Sequence, residues 1–146
     1  MSLTQAIAIA ERLHPGSRTA AVTFEISERP GYRVRTVRDK KIWENIVDVI
    51  TGRAIGPETS LSMRDLEVDE RDNIVALRSV GQALSEAIAI AEKAAAGKAI
   101  SGGLVKEQDQ INFVVVVLSE DRVKEVFLEP ARSSSKSAVP RKNGSR

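Results

Sequence analysis

The chain has no cysteine, one histidine and few aromatic residues, and each shortage closes a class of function. Without cysteine there is no disulfide, no thiolate metal site and no cysteine nucleophile. The lone histidine, His14, excludes two-histidine zinc motifs and would have to serve any serine-histidine-aspartate arrangement by itself. It directly precedes Pro15 at the end of a helical pattern, where a basic side chain is favoured by the helix dipole, and that structural role is the one expected of it. Aromatics at 3% are too sparse for the stacking platforms that bind single-stranded nucleic acid. The longest apolar run, Phe113 to Leu118, falls far short of the roughly 20 residues that a membrane-crossing helix needs. Ser2 to Leu13 lacks the basic start of a signal peptide and reads as an amphipathic helix, so the chain is expected either to stay in the cytoplasm or to be a mature form.

Acidic residues are missing from one stretch only. The last sixteen residues carry five basic side chains and no acidic one, which leaves 17 basic against 20 acidic groups in residues 1–130. The formal charge of +2 therefore belongs to the tail, and the remainder is mildly acidic. With 42% apolar and 29% charged residues, the composition is that of an ordinary globular protein. The segment 131–146, rich in Ser, Lys and Arg, has no apolar periodicity and is expected to be disordered.

What is present is a repeat. Leu3 to Arg12 recurs as Leu84 to Lys93 with seven identities and three conservative exchanges, at an offset of 81 residues. Held without a gap, the offset also pairs Glu28 with Asp109, Tyr32 with Phe113, Val34 with Val115, Ile42 with Val123, Glu44 with Glu125 and Asp48 with Glu129. Leu3, Ala6, Ile7, Ala10 and Leu13 fall on one helical stripe, as do Leu84, Ala87, Ile88 and Ala91. Ser2 with Gln5 fits a capping box. Ala83 cannot cap, so the second helix is expected to begin earlier, at Ser79 with Gln82. Three strand-like runs follow each helix: Val22 to Ile26, Tyr32 to Thr36 and Ile42 to Val49 in the first copy, and Ser101 to Glu107, Ile111 to Leu118 and Val123 to Leu128 in the second. The first copy continues through a tight turn at Asp48 to Gly52 into a short fourth strand at Ile55, which the second lacks. Gly102-Gly103 lies in no phosphate-loop pattern and reads as a bulge or a close backbone approach. The expected division is a first repeat at 1–57, a linker with a short helix at 58–80, a second repeat at 81–130 and the tail at 131–146.

The helix pattern Leu-x-x-Ala-Ile-x-x-Ala, the aromatic-led strands at Tyr32 and Phe113, and the turn Asp48-x-x-Thr51-Gly52 resemble the PepSY domain family. The linker from Leu66 to Asp72, followed by the second Leu84 motif, resembles exported bacterial proteins that carry two such domains. The resemblance implies an α+β fold of two cystatin-like repeats, each a helix packed on an antiparallel β-meander, with the two packed together. It also implies a periplasmic or extracellular setting and a non-catalytic role. Family members occur in propeptides of thermolysin-like metallopeptidases, where they are thought to inhibit or chaperone the peptidase, so a protein partner, with a peptidase as candidate, is expected. No catalytic residue, cofactor or metal ligand carries over.

The candidate partner-binding residues are six. Arg33 and Arg35 share a sheet face with Arg29 and Arg38, which is either a solvated face or a site for an acidic partner, an anionic polymer or a lipid. Val114 and Val116 stand where the first copy has those arginines, so that strand is apolar on both faces and is expected to be covered on both. Ile9 and Ile90 lie off the helical stripes. Packing of one copy on the other, a homodimer and a docking groove for a partner protein each account for these apolar positions. A small enzyme using paired carboxylates or Tyr32 is the reading from a different class.

Overall fold

A computed structural model describes residues 1–130, and the basic tail expected at 131–146 lies outside the described residues. Helix α1 spans Leu3–Leu13, and strands β1 (Arg18–Ile26), β2 (Pro30–Arg38), β3 (Lys41–Asp48) and β4 (Ala54–Ser62) follow it. Helix α2 (Val68–Leu77) then leads to α3 (Leu84–Ala95), β5 (Lys98–Glu107), β6 (Gln110–Ser119) and β7 (Arg122–Leu128). The seven strands form one antiparallel sheet in the order β4-β3-β2-β1-β5-β6-β7. A helix followed by a meander thus occurs twice, and the two meanders join side by side where β1 meets β5. That seam is short: Ala21 faces Gly103, Val22 faces Gly102 and Thr23 faces Ser101.

Both long helices lie on the same face of the sheet and touch each other. Their buried stripes are Leu3, Ala6, Ile7 and Ala10 in α1, and Leu84, Ala87, Ile88, Ala91 and Ala95 in α3. Tyr32 and Val34 of β2 and Phe113, Val115 and Val117 of β6 turn to the same side, and one apolar core runs beneath both helices. Burying each of the larger side chains contributes about 1.5–3 kcal/mol relative to leaving it in water. Gly102 permits the close approach of α3, because a Cβ there would come within 3.2 Å of Ile88. Helix α2 packs against β1 and β5. Its Glu70 reaches Arg35, which alternates with inward Val34, so α2 lies on the outer face of the sheet.

Three expectations change in the structure. α3 starts at Leu84 and not at Ser79, because Arg18 donates to the carbonyls of Leu77 at 2.7 Å and Gln82 at 3.2 Å, fixing the intervening segment in a non-helical path that buries Val80. Glu86 supplies half a capping box by accepting from the Ala83 N–H at 3.1 Å. The fourth strand runs through the expected boundary at residue 57 to Ser62, since β3 offers it a pairing edge from Lys41 to Val47. The gap-free offset of 81 also fails in one place. The bulge between Thr19 and Ala21 in β1 matches that between Ala99 and Ser101 in β5, one residue short of 81, and the longer hairpin before β6 restores the offset.

Candidate functional site

The turn that closes the first meander is built around one carboxylate. Asp48, with its side chain 2% exposed, accepts the N–H groups of Ile50 at 2.7 Å and Thr51 at 3.2 Å on Oδ1, and the guanidinium of Arg29 at 2.7 Å on Oδ2. Thr51 Oγ1 accepts from the Arg53 N–H at 3.2 Å, and Gly52 takes φ +74°, a backbone that a larger side chain resists. The Arg29 guanidinium, followed by the two backbone donors, holds the Asp48 carboxyl below the usual aspartate range. Both oxygens of this carboxylate are thus engaged in shaping the turn.

A second polar group lies under the C-terminus of α1. His14 is the C-cap residue, and its ring stacks on Trp43 of β3 with centroids 3.8 Å apart and planes 6° from parallel. Its Nε2 bonds Glu58 of β4, which also accepts from Asn45 at 3.1 Å, while Arg38 sits 5.3 Å over the indole and donates to the Pro15 carbonyl at 2.6 Å. Burial tends to raise the Glu58 carboxyl, but the bonds from His14 and Asn45 and the imidazole's charge outweigh it and leave the group below its ordinary value. The imidazole has one face and Nε2 committed to packing, so the expected helix-end role is extended into a clamp between α1, β3 and β4. Sequence reasoning placed His14 at a helix end but missed its partner, because 29 residues separate it from Trp43 and no local pattern links them.

The candidate arginines are not free cations. Arg33 pairs with Glu25 at 2.8 Å and Glu44 at 3.4 Å, and Arg35 pairs with Glu44 and with Glu70 at 3.3 Å. The stripe is an alternating network across β1, β2, β3 and α2, which leaves little unbalanced charge for an anionic polymer. Ile9 is partly buried against the Thr51-Gly52 turn, whereas Ile90 is 48% exposed on α3.

Val114 and Val116 are only half-buried, so the expectation that β6 is covered on both faces does not hold within the chain. Among the described residues α2 packs on β5 and stops short of covering the outer face of β6 and β7. Leu118, Val123 and Phe127 extend that face, exposed at 43%, 66% and 57%. These last residues were not singled out in the sequence, although the alternation of Val123, Glu125 and Phe127 with Lys124 carries the signal of a strand with a partly apolar outer row. Among the described residues no three His, Asp or Glu side chains are placed to hold a metal ion. An open depression of about 890 Å³ between the start of α2 and the β5–β6 turn gathers Asp69, Asp72, Glu107 and Asp109 beside Lys106, and no serine, threonine or histidine lines it. No helix among the described residues is long and apolar enough to cross a membrane.

Residues 1–56 match the family model described as peptidase propeptide and YPEB domain, named PepSY. Over those residues the chain is similar to the PepSY domain. The Asp48 turn and the α1 stripe lie within the matched span, which ends inside β4. PepSY domains are in general non-catalytic propeptide or regulatory modules. A proposed lipoprotein from Clostridium difficile 630, solved at 1.85 Å, is 18% identical over 92% of this chain and 89% of its own, with a TM-score of 0.48. Comparison with curated proteins found no match.

Proposed function

We propose that this PepSY protein is a non-catalytic binding module of the bacterial envelope that inhibits or regulates a peptidase or another envelope protein. The observation that carries the reading is the contrast between its polar groups and its apolar surface. The buried carboxylate, the histidine and the arginines are committed to internal partners, while among the described residues the outer face of β6 and β7 holds five apolar side chains, three exposed and two half-buried. Surfaces of that kind mark protein contacts in soluble chains. The same reading takes residues 1–57 and 81–130 as two copies of one helix-and-meander piece, the first bearing the family's turn and the second the contact surface.

The test uses the full chain and a panel of thermolysin-like metallopeptidases freed of their own propeptides. The chain is expected to form a stoichiometric complex with at least one of them and to slow its hydrolysis of a peptide substrate or raise its refolding yield. Failure of every panel member to bind or respond would remove the peptidase reading. Turnover of a substrate by the purified chain itself would overturn the non-catalytic one.

A further inference from the structure

The two edges of the sheet are built differently. β4 carries Gly56 at φ +66°, Pro57, and a register break opposite Glu44 and Ile46, devices that interrupt the ladder an incoming strand would need. β7 pairs with β6 from Arg122 to Leu128 without a break and contains neither Gly nor Pro. Among the described residues its other edge has no strand beside it.

The outer row of β7 has a defined chemistry. In the β6–β7 register Val114 faces Phe127, Val116 faces Glu125 and Leu118 faces Val123, so Glu125 stands in the middle of five apolar side chains. No ion pair or hydrogen bond reaches its carboxylate among the described residues. A carboxylate in such surroundings favours an occupant that brings a cation to it. The β7 strand of a second copy brings none. In a two-fold antiparallel pair of β7 strands, side chains that meet lie on the same face, and the outer row offers Asp121, Val123, Glu125, Phe127 and Glu129, none of them basic.

We propose that β7 accepts an extended segment of a partner protein as an eighth strand, and that the segment bears a lysine or arginine between two apolar residues on its outward row. Backbone bonds to β7 supply the affinity, the apolar pair seats against Val123 and Phe127, and the cation meets Glu125, which fixes the register. This rests on the binding-module reading and adds to it the place and the chemistry of the contact.

The test titrates the full chain with two blocked seven-residue peptides, followed by backbone amide shifts. One has valine, lysine and valine at alternate positions with threonine between them, and the other has glutamate in place of lysine. Shifts confined to β7 and its β6 neighbours are expected, with the lysine peptide about two- to fivefold tighter. Glu125→Lys is expected to reverse that order, and Val123→Lys with Phe127→Lys, both at exposed sites, to weaken the lysine peptide about tenfold or more while leaving the far-ultraviolet spectrum unchanged. Equal binding of the two peptides, absence of binding, or shifts that map to β4 would overturn the proposal, as would a concentration-dependent dimer abolished by Phe127→Lys. A peptidase complex that survives the double variant would move the contact elsewhere and keep the module reading. Loss of the module reading with the peptide order intact would leave β7 as a site whose partner is not a peptidase.

Discussion

The two helix-and-meander halves start from nearly the same helix and finish with opposite surfaces. Ile42 and Val123 are 81 residues apart and occupy matching places in β3 and β7, yet Ile42 is fully buried and Val123 is 66% exposed. The difference lies in what stands beside them. β3 has β4 on its far edge, with Leu61 opposite Ile42, whereas β7 has no neighbour there among the described residues. A second contrast lies under the helices, where the first half places Thr36, Trp43 and Asn45 and the second places Val117, Lys124 and Val126. The first half closes itself with a polar clamp and an ion-paired outer face. The second is held by aliphatic packing, and among the described residues its last strand has no neighbour on its far edge.

Five substitutions test that contrast between the halves. Phe113→Ala should cost the most, about 3–5 kcal/mol in denaturant unfolding, because its ring is fully buried beneath α3. Tyr32→Ala should cost less, since one side of that ring meets only the half-exposed Phe24; equal losses would mean that the two halves are packed alike. Asp48→Asn should destabilise the chain at neutral pH, with a penalty that fades on acidification. A carboxyl held below its unfolded value contributes stability that is complete above about pH 4 and is lost as pH falls through the folded value. A pH-independent gap between wild type and variant would show that the turn depends on shape and not on charge.

His14→Ala removes the stack on Trp43 and the bond to Glu58, and should cost about 1–2 kcal/mol. Trp43 is the only tryptophan, so its fluorescence should change in the folded state; an unchanged spectrum would deny the stack. Ala83→Ser installs on α3 the cap that Ser2 already gives α1, where Gln5 N–H bonds Ser2 Oγ at 3.2 Å. It should stabilise the chain by about 0.5–1 kcal/mol, and thermal unfolding at an unchanged midpoint would show that the Glu86 half-box already suffices.

Much of the frame was legible from local grammar. The Ser2–Gln5 box, the two helical stripes and the alternation of Tyr32, Val34 and Thr36 each act within a few residues, and the structure keeps them except at Leu13, which ends the first stripe 46% exposed. β4 was read too short because Gly56, Pro57 and Glu58 show no apolar alternation; its extent comes from pairing with β3. The arginine face looked like a binding surface because its neutralising partners, Glu25, Glu44 and Glu70, lie on other elements.

The amino-acid order alone marked the middle of nearly every helix and strand, the return of the pattern after 81 residues and the Asp48–Gly52 turn, since periodicity, caps and turn residues act over short chain distances; the start of α3 and the extent of β4 depended on distant partners. It took the packed chain to show that the meanders join at β1 and β5, that His14 lies on Trp43, and that β7 has no strand on its far edge among the described residues. Those outcomes depend on which distant surfaces exclude water from one another, and pairing across tens of residues leaves no local mark in the chain.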